Sequence, residues 1–188
     1  WWEWVHRQLG RLIGLLVLLP MIYFTIKNGL WILKEYLIIF LMVCFQGFIG
    51  WYMVSSGLVD RVDVSHYRLS LHLVTAFIIL SIVFWKFLKL TNLRYNQITI
   101  KLNSLKFFLL LIFLQLIIGA FVSGMDAGKV YNTWPLMGST YFPNDSNFAE
   151  FFNLDVFDNP SIVQFVHRNL AYLIVFVYLY ILSIYHLF

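Results

Sequence analysis

The stretch SLKFFLLLIFLQLIIGAFVSGM, residues 104–125, decides the fold class of this chain. Its only charged residue is Lys106. As a helix rising about 1.5 Å per residue, it is about 33 Å long, which matches a hydrocarbon core of about 30 Å. A barrel strand is excluded, because the apolar residues run continuously instead of alternating with polar ones. The stretch therefore predicts a membrane-spanning helix.

Other apolar stretches of similar length extend this prediction to five spans. They are residues 3–26, 35–57, 65–89 and 161–186. The composition agrees, since 61% of the 188 residues are hydrophobic and 12% are charged, against roughly 45–50% and about 25% in soluble domains. The sequence therefore excludes a soluble globule and predicts an all-α, polytopic transmembrane helical bundle.

The charged residues divide between the two predicted sides of the membrane. The stretches between the first and second spans and between the third and fourth carry most of the basic residues: Lys27, Lys34, Lys86, Lys89, Arg94, Lys101 and Lys106. By the positive-inside rule these loops face the cytoplasm or matrix, and residues 126–160, here called the outer loop, face outward. The net charge of +4 thus reflects membrane orientation, and nucleic acid is not an expected partner.

The outer loop cannot be a single helix, because it contains three prolines among Asn and Asp residues. Asn147 followed by Glu150 resembles a capping box. Phe148, Phe151 and Phe152 then share one helical face. We predict a short interfacial helix there that lies on the membrane and covers a site. An ordinary solvated loop is the alternative.

Three histidines lie near the predicted outer ends of spans: His6, His72 and His167. Ionisable groups at membrane depth are costly and suggest function. Nearby arginines are Arg7, Arg11, Arg61, Arg68 and Arg168. Heme accounts for both residue types, because imidazoles ligate its iron and arginines pair with its propionates. The alternatives are hydrogen-bonded core histidines and a zinc site, although zinc favours ligands clustered within one or two turns.

Two histidines do not join this set. His66 precedes the deep part of its span and is predicted to be interfacial. His186 lies about 28 Å along the helix from His167, so it cannot serve the same iron. The roles of both stay open.

Two segments of the chain resemble each other, namely EWVHRQLGRLIG at residues 3–14 and QFVHRNLAYLIV at residues 164–175. They indicate a duplicated bundle with parallel repeats, with chance convergence as the alternative. Glu3 departs from the repeat, where Gln164 is its counterpart. Glu3 lies one turn from His6 and is suited to act as a general base or to stabilise a cation. A first-turn acidic residue favoured by the helix dipole is the competing interpretation.

Several motifs that together span nearly the whole chain resemble one known family. They are EWVHR at 3–7, QGFIGWYMV at 46–54, SHYRL at 65–69 followed by His72, GMDAG at 124–128, YNTWPLM at 131–137 and QFVHR at 164–168. The chain resembles the heme A synthase family (COX15/CtaA), and most of all its alphaproteobacterial and mitochondrial branch.

The resemblance implies a duplicated architecture of two four-helix bundles. The five spans match the second to sixth of the family's eight helices, so we expect a fragment. Residues 1–90 would form the substrate-heme bundle, incomplete at its N-terminus. Residues 91–188 would form the cofactor-heme bundle, incomplete at its C-terminus. The family's last helix carries the second histidine of that bundle, and nothing here replaces it.

The resemblance also implies an oxidoreductase acting on a CH or CH2 group. Such an enzyme oxidises the C8 methyl group of heme O to the formyl group of heme A, with oxygen from water. By this resemblance Glu3 is catalytic, His6 and His72 flank the substrate heme, and His167 holds a heme b cofactor. The five arginines named above would hold propionates.

The resemblance further implies partners and a location. The partners are heme O, heme A, the lipid bilayer, heme O synthase, cytochrome oxidase assembly factors and a further copy of the chain. The location is the bacterial inner membrane, or the mitochondrial inner membrane in a eukaryote. Two other functions compete with the enzyme: a bis-histidine cytochrome b that only carries electrons, and a heme-binding assembly protein.

Overall fold

Five long helices make up most of the chain in a computed structural model that describes residues 1–55, 64–91 and 100–185. The helices are α1 Trp2–Asn28, α2 Leu33–Ser55, α3 His66–Leu90, α4 Leu102–Gly124 and α5 Pro160–Ile184. Each is long and apolar enough to cross a membrane. The predicted five-span, all-α architecture is therefore confirmed, with helix ends within two residues of the predicted ones wherever the structure describes them.

Local sequence explains two of the helix ends. Gly29 follows α1 with φ of 93°, a left-handed value that glycine adopts without steric cost. At the start of α5, the Asn159 side chain accepts hydrogen bonds from the N–H groups of Ser161 and Ile162. Pro160 occupies the first turn, where its missing N–H costs nothing. These caps fix where the outer loop ends and α5 begins.

The chain packs as two compact units, each described here by itself. The first unit comprises residues 1–59 and 75–93, and the second comprises residues 60–74 and 94–188. In the first unit α1 packs against α2, and Lys86 donates to the carboxylate of Glu35. In the second unit α4 packs against α5, around a core of Ile118, Phe121 and Val163. The predicted division into heme-binding halves at residues 90 and 91 stays a prediction.

The outer loop contains three short 3₁₀ helices, Ala127–Lys129, Phe148–Phe152 and Leu154–Asp158. The predicted capping box is present, because Asn147 accepts from the Ala149 N–H at 3.2 Å and Glu150 accepts from the Asn147 N–H at 2.9 Å. The predicted short helix is thus confirmed as a 3₁₀ helix. Asn153 is extended and prevents a longer one. Its contact with the membrane stays a prediction.

The start of α3 lies very close to the end of α4. A Cβ atom on Gly124 would stand 2.9 Å from the Cα and Cβ of His66, so only glycine fits there. The His66 Nε2 lies 3.1 Å from an Asp158 carboxylate oxygen, and its ring packs edge-on against Phe121. His66 therefore packs against both α4 and the outer loop, a contact that its predicted interfacial position did not specify.

Candidate functional site

His167 on α5 faces a polar side chain and a glycine on α4. The Nε2 of Gln115 lies 3.1 and 3.2 Å from the two ring nitrogens of His167 and donates to its main-chain carbonyl at 3.2 Å. A Cβ on Gly119 would stand 3.2 Å from the ring Cε1. Because Gln115 and Gly119 are one turn apart, they lie on the same face of α4. The imidazole of His167 therefore lies against the Gln115 amide and in the space that a side chain at Gly119 would fill.

Two side chains of the same α5 face hold the outer loop. The Arg168 guanidinium donates to the main-chain carbonyls of Tyr131 and Thr133, each at 2.8 Å. The buried Gln164 donates to the same Tyr131 carbonyl at 2.9 Å. Arginine has five N–H donors, so others remain available. The predicted pairing of Arg168 with a propionate stays a prediction beside this observed contact.

The loop continues along α5 beyond the depth of His167. Trp134 donates from its indole N–H to the Tyr172 hydroxyl at 2.6 Å. Tyr141 donates to the Asn169 side-chain oxygen at 2.5 Å. The outer loop therefore contacts residues of α5 that come both before and after His167 in the sequence.

The Asp145 carboxylate connects the outer loop to the first turn of α5 through hydrogen bonds. Asp145 accepts hydrogen bonds from the Ser161 hydroxyl at 2.7 Å and from the Tyr131 hydroxyl at 2.8 Å. Burial alone would raise the pKa of Asp145, but the hydrogen bonds from Ser161, Tyr131 and Ser146 outweigh it and hold that pKa below its usual range. Burial and the hydrogen bond to Asp145 raise the pKa of Tyr131. Asp145 therefore stays an acceptor and Tyr131 stays a donor.

Substituting Asp145→Asn is expected to loosen the outer loop at neutral pH. The folded pKa of Asp145 is depressed, so its stabilisation is present above the unfolded pKa of about 3.9 and is lost as pH falls through the folded value. We expect faster hydrogen exchange in the loop at pH 7, and a melting-temperature gap from the unsubstituted protein that narrows as the pH falls below about 4.

A matched control for that prediction is Asp126→Asn. Asp126 pairs with Lys129 on the surface, and Asn tolerates its positive φ of 52°. This control should leave loop exchange nearly unchanged. A gap for Asp145→Asn that stays constant from pH 7 to pH 3 would contradict the assigned charge.

In the first unit, the predicted catalytic residue lies at the start of α1. The Glu3 carboxylate is 3.5 Å from the Arg7 guanidinium, and both side chains are exposed. Arg11 donates to Gln8 at 3.2 Å. His6 is also exposed, one turn after Glu3. The structure thus places Glu3 in a surface ion pair on the helix that carries His6.

The remaining predicted residues are distributed over both units. His6 belongs to the first unit, whereas His72 and Arg68 belong to the second and are half-buried. The pairing of His6 with His72 therefore stays a prediction. Arg61 and His186 lie outside the described residues.

The ligands available around His167 fit a heme better than a bare metal ion. An iron porphyrin brings four nitrogen ligands and needs one or two axial imidazoles from the protein. A bare cation would need several protein ligands together, and the described parts of the chain hold no group of three His, Cys, Asp or Glu residues able to bind one. The side-chain oxygen of Gln115, next to this imidazole, is buried and accepts no hydrogen bond from the described residues.

Three contributors to this site were not singled out from the sequence: Gln115, Tyr131 and the donating role of Gln164. A signal for Gln115 existed, because an amide within an otherwise apolar span is costly unless it is hydrogen-bonded. Gln164 was noticed only as the counterpart of Glu3. The hydrogen bonds of Tyr131 depend on the path of the loop, which no local pattern encodes.

Comparison with known proteins reveals close similarity to curated heme A synthases. The heme A synthase of Pelagibacter ubique is 47% identical over 178 residues, which are 94% of this chain and 53% of the relative. That of Flavobacterium johnsoniae is 42% identical over 186 residues, 96% of this chain and 54% of the relative. That of Maricaulis maris is 44% identical over 180 residues, 93% of this chain and 52% of the relative.

The chain therefore spans about half the length of the curated relatives it matches. No solved structure matches it. The family described as cytochrome oxidase assembly protein, COX15-CtaA, matches residues 1–187, nearly the whole chain. This chain belongs to the COX15-CtaA family of cytochrome oxidase assembly proteins.

Proposed function

We propose that the protein oxidises the C8 methyl group of heme O to the formyl group of heme A, with oxygen derived from water. The single observation that carries this proposal is the His167 site, where an imidazole lies against Gln115 of α4 beside Arg168. The alignment of 94% of the chain with a heme A synthase at 47% identity supports it.

His167 would hold a heme b cofactor, and His6 with His72 would hold the substrate heme. Heme b, when bound, supplies one-electron redox chemistry. The chain's own residues would bind and orient the heme. The imidazoles would ligate its iron, and the arginines would pair with its propionates. Arg7, Arg11, Arg61, Arg68 and Arg168 are the arginines proposed for that role.

Glu3 would act as the catalytic carboxylate. One turn from His6, its carboxylate oxygen can accept a proton from an attacking water or stabilise positive charge on the substrate. Glu3, and not one of the histidines proposed to hold the heme, would thus handle the proton or the charge.

An asymmetry between the repeats favours the enzyme over a plain cytochrome b. The counterpart of Glu3 is Gln164, which is buried and donates to the outer-loop carbonyls of Gly128 and Tyr131. That position therefore has a structural task on α5, whereas Glu3 is exposed beside His6. Electron transfer alone needs no carboxylate there. A heme-binding assembly protein would not need one either.

Heme extraction after expression tests the proposed activity. The protein is expressed in membranes that supply heme O, and the pigments are separated by chromatography. Formylated heme is the expected product. Recovery of heme O and heme b alone, from a preparation shown to bind heme, would favour the cytochrome or the assembly protein and contradict the enzyme.

We further propose the bacterial inner membrane, or its mitochondrial equivalent, as the location. The five apolar spans support a multi-pass membrane protein. Heme O synthase, cytochrome oxidase assembly factors and a further copy of the chain are the proposed protein partners.

Substituting Arg68→Leu is expected to weaken heme retention by about tenfold or more. A hydrogen bond to a charged group contributes about 1.5–3 kcal/mol, and about 1.4 kcal/mol corresponds to a tenfold change in affinity. Arg68 is half-buried near the start of α3, so solvent screens it only partly. Heme content of the purified protein is the measurement.

Lys106→Leu, at an exposed site on α4, is the control. Equal heme content in the two variants would contradict the propionate role.

A further inference from the structure

We infer that a cleft between the start of α2 and the end of α3 binds the headgroup of an anionic phospholipid with two phosphodiester groups. The cleft belongs to the first compact unit and lies at the predicted inner side of the membrane. Its volume is about 340 Å³, and its lining residues are Glu35, Ser81, Ile82, Trp85, Lys86 and Lys89. None of them is proposed to bind heme or to act on it, so this site goes beyond the proposed function.

One pair of side chains joins the two walls of the cleft. The Lys86 ammonium donates to the carboxylate of Glu35 and, at 3.2 Å, to its main-chain carbonyl. These contacts connect the first turn of α2 to the inner part of α3. An ammonium group has three N–H donors, and two of them serve Glu35 here. Lys86 therefore has one donor left for a ligand in the cleft.

The charges around the cleft favour an anionic lipid over a zwitterionic one. Besides Lys86, the positive charges of Lys34 and Lys89 act on the Glu35 carboxylate. These three lysines and one glutamate leave a net charge of +2. A phosphodiester carries one negative charge, so a lipid with two of them balances this charge, whereas a zwitterionic lipid brings none. Basic pockets between membrane helices on the cytoplasmic or matrix side recognise such headgroups.

The cleft face of α3 changes in polarity along the helix as a phospholipid does. Lys89 is in the last turn, and Trp85 lies one turn deeper, with its ring centroid 5.4 Å from the Lys89 ammonium. Trp85 is 60% exposed, which suits a residue at the membrane interface. Deeper still are Ile82 and Ser81, whose hydroxyl is satisfied by the Phe77 carbonyl at 2.7 Å. Cation, aromatic ring and apolar surface thus follow the order of headgroup, glycerol backbone and acyl chain.

Native mass spectrometry of the purified protein with added lipids tests this site. The lipids are cardiolipin with two phosphodiesters, phosphatidylglycerol with one, and zwitterionic phosphatidylcholine. We expect cardiolipin to bind most tightly and phosphatidylcholine least. Lys89→Gln should weaken cardiolipin binding about fivefold, which is the effect of one cation near an anionic membrane surface. Lys34→Gln should act similarly, and Lys89→Arg, which keeps the charge, should bind like the unsubstituted protein.

Lys27→Gln is the matched control. Lys27 lies at the same predicted side of the membrane, in the same unit, and its ammonium is 5.7 Å from the ring centroid of Tyr23. It thus repeats the contact of Lys89 with Trp85, but it is not among the residues that line the cleft. This variant should keep its affinity for cardiolipin.

Two results would overturn the inference. Equal cardiolipin affinity in Lys89→Gln, Lys34→Gln and Lys27→Gln would show that the cleft does not select the lipid. Release of bound cardiolipin by excess inorganic phosphate would show a site for free anions, because phosphate lacks the acyl chains that the apolar part of the cleft contacts. Either result would leave the proposed function intact, since the test measures lipid binding and not heme A formation.

Discussion

Substituting Glu3→Gln is expected to abolish heme A formation while bound heme stays near its normal level. The amide keeps the shape of the carboxylate but can neither take a proton from water nor stabilise a cation. A group that acts mainly in the transition state lowers turnover when removed and leaves ground-state binding intact. General-base catalysis typically contributes about 10²- to 10⁴-fold, so heme A should fall by at least about a hundredfold. A hydroxylated intermediate is expected to accumulate.

Structural roles of Glu3 are too weak to produce such an effect. Its pair with Arg7 is exposed, with side chains 69% and 60% accessible, and exposed pairs one helical turn apart contribute about 0.3–0.5 kcal/mol. A first-turn acidic residue adds about 0.3–1 kcal/mol through the helix dipole. Neither contribution would unfold a membrane-embedded helix. A large loss of product with retained heme therefore points to chemistry.

Glu35→Gln is the matched control for Glu3. Glu35 is also the acidic partner of a basic residue, Lys86, at the start of α2. The control removes one carboxylate from a predicted span end with no histidine assigned to it, so heme A output should be unchanged. If Glu3→Gln loses heme and folds poorly while Glu35→Gln does not, the helix-dipole interpretation of Glu3 is correct.

The spans could be predicted from the sequence because each apolar stretch is self-sufficient. A membrane helix satisfies its backbone hydrogen bonds within its own segment, so length and hydropathy decide its existence without tertiary information. The capping box of Asn147 and Glu150 is predictable for the same reason, since all its partners lie within a few residues. What the local sequence leaves undecided is the helix type, which the extended Asn153 limits to one short 3₁₀ segment.

The contacts of the outer loop could not be predicted, because their partners are far apart in sequence. Arg168 was singled out for its charge beside His167, yet its observed partners are main-chain carbonyls of residues 131 and 133. Any main-chain carbonyl near the start of α5 would satisfy a guanidinium, so the residue type alone does not identify the partner. The contact of His66 with Asp158 is equally hard to predict, because it depends on the close approach of α3 and α4 that Gly124 permits.

Substituting the histidines separately should divide the bound heme into two independent pools. His167→Ala is expected to remove the proposed cofactor heme and leave the substrate heme, while His72→Ala should do the reverse. Each variant loses an axial ligand of its proposed heme. Heme extracted per protein should therefore fall by about half in each variant. His66→Ala, which removes the pairing with Asp158 and the ring contact with Phe121, is the control and should keep full heme content.

Combining the substitutions decides whether His6 and His72 share one iron. Effects at independent sites add, whereas effects of groups that act together do not. If His6 and His72 ligate the same iron, a double variant of the two should lose no more heme than the worse single variant. The double variant of His72 and His167 should lose nearly all of it. A His6 and His72 pair whose losses add in full would place the two histidines on different hemes, and the predicted bis-imidazole pocket would be wrong.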